Sequence, residues 1–266
     1  MKKLYIGTNN KMTMTIAETR RFITGLREAA ADISRDEMEL FVIPSYTAIA
    51  AAVECARGEI RIGAQNMGWE ERGQFTGEIS PLMLAEVGAQ IVMAGHSERR
   101  HVFRETDEEE NRKVLCALAH GFTALLCIGE TAEEKAAGRS DAALREQTLR
   151  GLEGVDPALA AAGRVWVAYE PVWAIGVSGT PAAPAYAFER HEGIRAALGE
   201  VLGEQAAQRV PVLYGGSVNP ENAPLLIRGG QVDGLFIGRS AWDAGRFSGI
   251  IHDVLPLYRE KNRKRS

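Results

Sequence analysis

Apolar residues fall in eight short, nearly unbroken runs, at 4–8, 40–44, 60–65, 90–95, 123–128, 165–169, 211–214 and 234–237. Runs that are continuous rather than alternating mark parallel strands covered on both faces. Between them the pattern changes to helical spacing. Phe188, Ile194, Leu198 and Val201 share one helical face, as do Ile251, Val254, Leu255 and Tyr258. Thr106-Asp107-Glu108-Glu109 and Thr131-Ala132-Glu133-Glu134 fit capping boxes. Ser80-Pro81 and Asn219-Pro220 each fit an N-cap followed by proline at the first helical position.

Eight strand–helix alternations without a linker or composition break predict an α/β fold with one domain over residues 1–266. A closed (β/α)₈ barrel is preferred to an open doubly wound sheet. There are eight units, and no Gly-x-Gly-x-x-Gly follows the first strand. In such a barrel chemistry gathers just beyond the carboxyl ends of the strands. Those positions hold Asn9 and Lys11, Gln65 and Asn66, His96 to Glu98, Glu130, Glu170, Gly215 to Ser217, and Gly238 with Arg239. The crowding of polar residues and glycines on one rim predicts an active-site face.

Composition narrows the partners. The chain is 45% hydrophobic and 25% charged with a net charge of −4, the profile of a soluble protein with a sizeable core. Its only cationic cluster is the tail Lys261, Arg263, Lys264 and Arg265, read as a solvated, partly frayed end, so no nucleic-acid partner is expected. Cys55, Cys116 and Cys127 cannot all pair within one chain and lack metal-ligand spacing, which predicts reduced thiols and no metal site. The first apolar run is broken by Gly7-Thr8-Asn9-Asn10-Lys11, too early for a signal peptide, and no run is long enough for a bilayer. The expectation is a cytoplasmic protein with no membrane partner.

Each rim residue has a chemical reading and an ordinary one. Glu170 leaves an apolar strand into the turn fixed by Pro171, and a carboxyl group in apolar surroundings suits a proton shuttle; the ordinary reading is a surface ion pair. His96 opens a helix at Ser97-Glu98-Arg99-Arg100, where a neutral imidazole can donate to a carbonyl; the ordinary reading is a satisfied core histidine, given outright to His101, His120, His191 and His252. Lys11 can hold a phosphate or an enediolate, or form a Schiff base; it can equally be a surface lysine. Gly215-Gly216-Ser217 and Gly238-Arg239, after the last two strands, fit the phosphate site of a barrel rather than simple turns. The apolar loop Pro171-Val172-Trp173-Ala174-Ile175-Gly176-Val177-Ser178-Gly179-Thr180 reads as a lid, since exposed Trp and Ile are costly unless they fold over something.

Taken together, Gly95-His96-Ser97-Glu98-Arg99-Arg100, Ala168-Tyr169-Glu170-Pro171-Val172-Trp173-Ala174-Ile175-Gly176, Phe75-Thr76-Gly77-Glu78 and Tyr214-Gly215-Gly216-Ser217-Val218 resemble the signatures of triosephosphate isomerase. The resemblance runs from the first strand to the last and implies a TIM barrel. It implies that Glu170 abstracts the proton next to a carbonyl, that neutral His96 polarises that carbonyl, and that Lys11 and Asn9 stabilise the developing charge. This division of labour is the family's own, taken over with the resemblance. It further implies that Glu98 orders the site, and that Gly176, Ser217 and Gly238, with Arg239, meet the phosphate. No cofactor is expected. A homodimer is, with Gln65 and Thr76 at the interface, and the substrate is a small phosphorylated sugar.

The sequence departs from the family in places. Asn10 stands where tryptophan is usual, and Ser45 where proline is. Pro181 falls where the family offers a backbone N–H to the tyrosine matching Tyr214, and proline has none. Gly238-Arg239-Ser240-Ala241-Trp242 resembles a side branch acting on four-carbon sugar phosphates, such as L-erythrulose 1-phosphate isomerase, which interconverts that sugar with D-erythrulose 4-phosphate. The intact catalytic stretches favour interconversion of dihydroxyacetone phosphate and glyceraldehyde 3-phosphate. The four-carbon reaction is the alternative; a Schiff-base aldolase using Lys11 and a non-catalytic phosphate-binding barrel are the readings of another kind.

Overall fold

The computed structural model describes residues 2–176 and 179–264. Val177 and Ser178 of the expected lid, and Arg265 of the tail, lie outside the described residues. Eight strands, β1 (Leu4–Asn9), β2 (Met38–Ile43), β3 (Arg61–Ala64), β4 (Ile91–Ala94), β5 (Thr123–Ile128), β6 (Val165–Tyr169), β7 (Val212–Tyr214) and β8 (Gly234–Ile237), pair in parallel in sequence order. β8 returns to β1, with Tyr5 opposite Gly234 and Thr8 opposite Ile237, so the sheet closes. Twelve α-helices among the described residues surround it. The expected (β/α)₈ barrel is the fold.

The continuous apolar runs are explained by two cores, since successive side chains of a strand point to opposite faces. Phe41, Met93, Leu125, Trp166 and Phe236 fill the barrel interior, where Phe41 stacks on Phe236 at 5.6 Å between ring centroids. Their neighbours Leu40, Val42, Val92, Leu126 and Val167 pack outward against the helices. Trp166 meets Tyr5 edge to face at 5.1 Å, both at the starts of their strands, which plugs the amino-terminal end.

Local signals place most helix starts. Thr106 and Thr131 form the expected capping boxes, Thr15 with Glu18 forms another, and the Ser80 side chain accepts from the Met83 N–H ahead of Pro81–Glu86. The Asn219-Pro220 expectation is corrected: the helix runs over Ala223–Arg228, with Pro224 in its first turn. Asn219 and Asn222 instead bond reciprocally, each side-chain oxygen accepting the other's backbone N–H at 2.8–2.9 Å, which holds the segment as a turn. On Pro184–Leu202 the buried face is Ala187, His191, Ile194, Leu198 and Leu202, with Phe188 and Val201 at its half-buried margin.

The tail is corrected in part: Arg263 and Lys264 are exposed as expected, but Lys261 is not. It continues the helix Ala244–Arg263, and Lys261 is buried, its ammonium donating to the carbonyls of Ile227, Gly229 and Val232. A lysine stem packs on apolar surface while its head satisfies carbonyls a neighbouring helix end leaves open. The three cysteines are free, and no helix among the described residues is long and apolar enough to cross a membrane.

Candidate active site

Strand ends converge at the carboxyl-terminal mouth around a cavity of about 460 Å³ lined by Asn9, Lys11, His96, Glu98 and Glu170. Glu170 is the first residue after β6, and its backbone N–H donates to Ile128 O at 2.7 Å. The residue is 4% exposed, and Oε2 has no hydrogen-bond partner. Two glycines make room for it. A Cβ on Gly215 would lie 2.7 Å from Glu170 Cγ, and one on Gly129 would lie 1.9 Å from its carbonyl oxygen. The Cys127 thiol, on an inward position of β5, lies against this carboxyl; burial first, and then the charge of Glu170, push it well above the ordinary thiol value.

His96 is the N-cap of Ser97–His101. Its Nδ1 accepts the Glu98 backbone N–H at 3.2 Å, which puts the ring proton on Nε2 of the neutral tautomer. Nε2 stands 3.8 Å from Glu170 Oε2. A donor and a bare carboxylate oxygen therefore face one another across a gap wider than a hydrogen bond, the arrangement for gripping and deprotonating one small molecule from two sides.

Lys11 follows β1 with φ of 51°, left-handed backbone that a side chain rarely adopts. Three contacts hold it there: its N–H donates to Asn9 Oδ1 at 2.8 Å, Gln65 Nε2 donates to its carbonyl at 2.8 Å, and its Nζ meets Glu98 Oε1 at 2.6 Å. Burial alone would raise the Glu98 carboxyl, but the hydrogen bond and the charge of Lys11 hold it below its ordinary value. A strained residue at a cavity mouth is a mark of function. Gln65, expected at an interface, here serves its own chain's lysine, while Thr76 sits exposed on the loop after β3, away from this cavity.

The side of the cavity expected to meet a phosphate is glycine backbone. Gly176, Gly215, Gly216 and Gly238 line the cavity, and Arg239 is exposed at its edge with no ion pair among the described residues. Ser217 stands differently: its N–H and hydroxyl both donate to Ala174 O, at 3.0 and 2.6 Å, tying the loop after β7 to the start of the lid. Trp242, noted in the sequence as the end of Gly238-Arg239-Ser240-Ala241-Trp242, donates from Nε1 to Asn9 O at 2.9 Å and so ties the loop after β8 to β1, a contact no sequence signal announced.

The first half of the loop expected to be a lid rests on a group whose reach the sequence did not reveal. Buried Glu130 Oε1 accepts from Tyr169 OH, Trp173 Nε1 and Tyr186 OH at 3.1, 2.9 and 2.8 Å. Lys135 Nζ sits 3.3 Å from the Trp173 ring centroid. Tyr186 and Lys135 carried no signal, since they lie remote in sequence from Trp173 and act only through the fold. At the lid's other end the Tyr214 hydroxyl makes no hydrogen bond of ordinary geometry. It faces the backbone N–H of Ala182, one residue beyond Pro181.

A larger concavity, about 730 Å³, lies on the loop after β3 beside Trp69, Phe75, Met83 and Phe103. It gathers no catalytic constellation of the kind just described.

Residues 4–254 match the family model described as triosephosphate isomerase. The chain is 48% identical over 253 residues to the L-erythrulose-1-phosphate isomerase of Rhizobium etli, covering 94% of this chain and 92% of that protein. It is 47% identical over 252 residues to the enzyme of the same name in Brucella suis, covering 94% and 96%. It is 41% identical over 253 residues to the triosephosphate isomerase of Solibacter usitatus, covering 95% and 100%.

Proposed function

Because the chain belongs to the triosephosphate isomerase family, we propose that it isomerises a four-carbon ketose phosphate, interconverting L-erythrulose 1-phosphate and D-erythrulose 4-phosphate. The observation that carries this reading over the triose one is the 47–48% identity to relatives bearing the four-carbon name, along 94% of the chain. Gly238-Arg239-Ser240-Ala241-Trp242 supports it from the site, where Arg239 adds a cation at the phosphate edge and Trp242 fastens that loop to Asn9.

The chemistry is the family's with one substituent changed. In L-erythrulose 1-phosphate the carbonyl is C2, next to the phosphorylated carbon. Glu170 Oε2 takes the proton from C3, and the electron pair of that C–H bond forms a C2=C3 enediolate whose oxygen is met by His96 Nε2–H. Reprotonation at C2, with loss of the proton on the C3 oxygen, leaves the carbonyl at C3. Counted from the other end the product is a 4-phosphate. The triose reaction differs only in bearing hydrogen where this substrate bears CH₂OH on the carbon that yields the proton. Lys11, fixed by Asn9, Gln65 and Glu98, sets positive charge beside the forming enediolate. Phosphate is held by the N–H groups of Gly176, Ser217, Gly238 and Arg239, and Ser217 reaches it by releasing Ala174 O.

The test is kcat/KM of the purified chain on L-erythrulose 1-phosphate and on dihydroxyacetone phosphate, with Glu170→Gln alongside. The expected result is at least about tenfold preference for the four-carbon sugar, with kcat in the variant lower by about 10²–10⁴. Preference for dihydroxyacetone phosphate returns the chain to the triose reaction, and activity indifferent to Glu170→Gln overturns the catalytic assignment. The active form is further read as a homodimer, supported by the exposed apolar side chains of Met12, Phe75, Met83, Val102 and Phe103.

A further inference from the structure

The barrel has a second mouth, where the strands begin. A cavity of about 590 Å³ opens there, and its wall carries Lys3, Arg61 and Arg164 against one carboxylate, Glu39. The surplus of positive charge is local, since the whole chain carries −4.

Both guanidinium groups are fixed by neutral partners. Arg61 donates to Gln90 O at 3.2 Å and to Thr123 Oγ1 at 2.8 Å, lies 5.0 Å over the Trp166 ring, and comes only within 4.0 Å of Glu39. Its side chain is 26% exposed; burial first pulls its pKa down, the Glu39 carboxylate works against that, and the neighbouring charge of Arg164 adds to it more weakly than Glu39 opposes it. Arg164 donates to Phe122 O at 2.7 Å and has no ion pair among the described residues. Lys3 is half-buried and likewise has none. The fourth basic group on the wall, His120, is already matched by Glu71 at 2.9 Å.

Partly buried cations that repel one another are expensive unless an anion joins them. Two guanidinium groups clamped by backbone carbonyls keep further N–H donors open, a fork suited to phosphate oxygens. We propose that this amino-terminal mouth is an anion site, distinct from the catalytic one, that binds a phosphate, free or as a phosphomonoester, between Lys3, Arg61 and Arg164. It owes nothing to which sugar the catalytic mouth isomerises. Trp166 and Tyr5 are too well packed to stack a ring system, so the site recognises the oxyanion.

The four tryptophans make the two mouths separately visible. Trp166 donates its indole N–H to Gly163 O beside Arg61, whereas Trp242 lines the catalytic cavity. In the ¹⁵N-labelled full chain, with indole signals assigned by Trp→Phe substitution, inorganic phosphate is titrated at constant ionic strength against potassium chloride. The Trp166 signal moves saturably with a midpoint of its own. In the double variant Lys3→Gln/Arg164→Gln that midpoint rises about tenfold or more, as loss of charge-assisted hydrogen bonds requires, while the Trp242 response and turnover stay as they were. A parallel titration with adenosine 5′-monophosphate separates the sources: saturation by phosphate alone assigns the free ion, and saturation only by the nucleotide assigns the ester. A Trp166 signal that is still with both, or that moves equally in the double variant, overturns the site. If the double variant does not fold, Lys3→Gln alone decides, a raised midpoint supporting the site and an unchanged one refuting it.

Discussion

At the scale of single residues, the chain places ionisable groups where water does not reach and then settles their charge by contact. Glu110 is fully buried beside Glu105, and Glu105 is held by Arg99 and by Lys113 at 2.7 Å. Burial alone would raise Glu105, but hydrogen bonds from Arg99, Glu110 and Lys113 bring it down to about 2. Glu110 goes the other way, to about 8, through burial and through the hydrogen bond its protonated form donates to Glu105. The folded chain thus keeps a proton that the unfolded chain releases around the ordinary carboxylate value of 4.5. Between those two values the folded state binds more protons, so stability falls as pH rises through the window and the contribution is gone above it. Urea midpoints measured from pH 5 to about 8.5 are expected to decline in the parent chain and to stay flatter in Glu110→Gln; parallel curves would show that Glu110 does not carry the proton.

Secondary elements are where sequence reading did best, and where its misses have identifiable causes. The eight strands were legible because a strand buried on both faces leaves no polar gaps, as in the TALLCI run of β5. Capping at Thr106 and Thr131 was legible because it needs only neighbouring residues. The helix after β7 was misplaced because Asn219 and Asn222 pair into a turn that the Asn-Pro signal does not distinguish from a cap. The lid shows the same limit. Pro171 to Thr180 announced an apolar loop, but its anchoring to Glu130, Lys135 and Ser217 depends on elements brought together from afar.

Pro181 carries the lid's own prediction. With no N–H at that position, the Tyr214 hydroxyl is left buried without a hydrogen bond of ordinary geometry. Tyr214→Phe is expected to leave stability within about 0.5 kcal/mol of the parent or to raise it, because no made hydrogen bond is lost. kcat is expected to fall less than about tenfold, well under what loss of a working lid brings. Urea unfolding and steady-state kinetics measure both. A larger loss of kcat would mean that the closing lid recruits the Ala182 N–H that faces this hydroxyl.

The whole molecule presents a mouth proposed to be catalytic, a cationic mouth and an apolar flank around the loop after β3. Met12 is 94% exposed, and Phe75, Met83 and Phe103 are each more than half exposed, which is the support for the proposed homodimer. Sedimentation is expected to give twice the 28.9 kDa chain mass. Phe75→Glu is expected to yield single chains with kcat lowered by about tenfold or more, since the flank adjoins Lys11 and Glu98. A single-chain parent with full activity would remove the dimer.

The sequence by itself determined the barrel and a rim of polar residues and glycines that holds Glu170 and His96, because strand burial, helix starts and the position just past a strand end are written in neighbouring residues. Tertiary structure decided what those groups do to one another: which His96 nitrogen bears the proton, how Gln65 and Glu98 hold Lys11 in left-handed backbone, where Trp242 binds Asn9, and that Lys3, Arg61 and Arg164 share one cavity. Apart from the His96–Glu98 contact, which is local, these pairings join residues dozens to hundreds of positions apart, and only closure of the barrel brings them within the few ångströms at which hydrogen bonds and charges act.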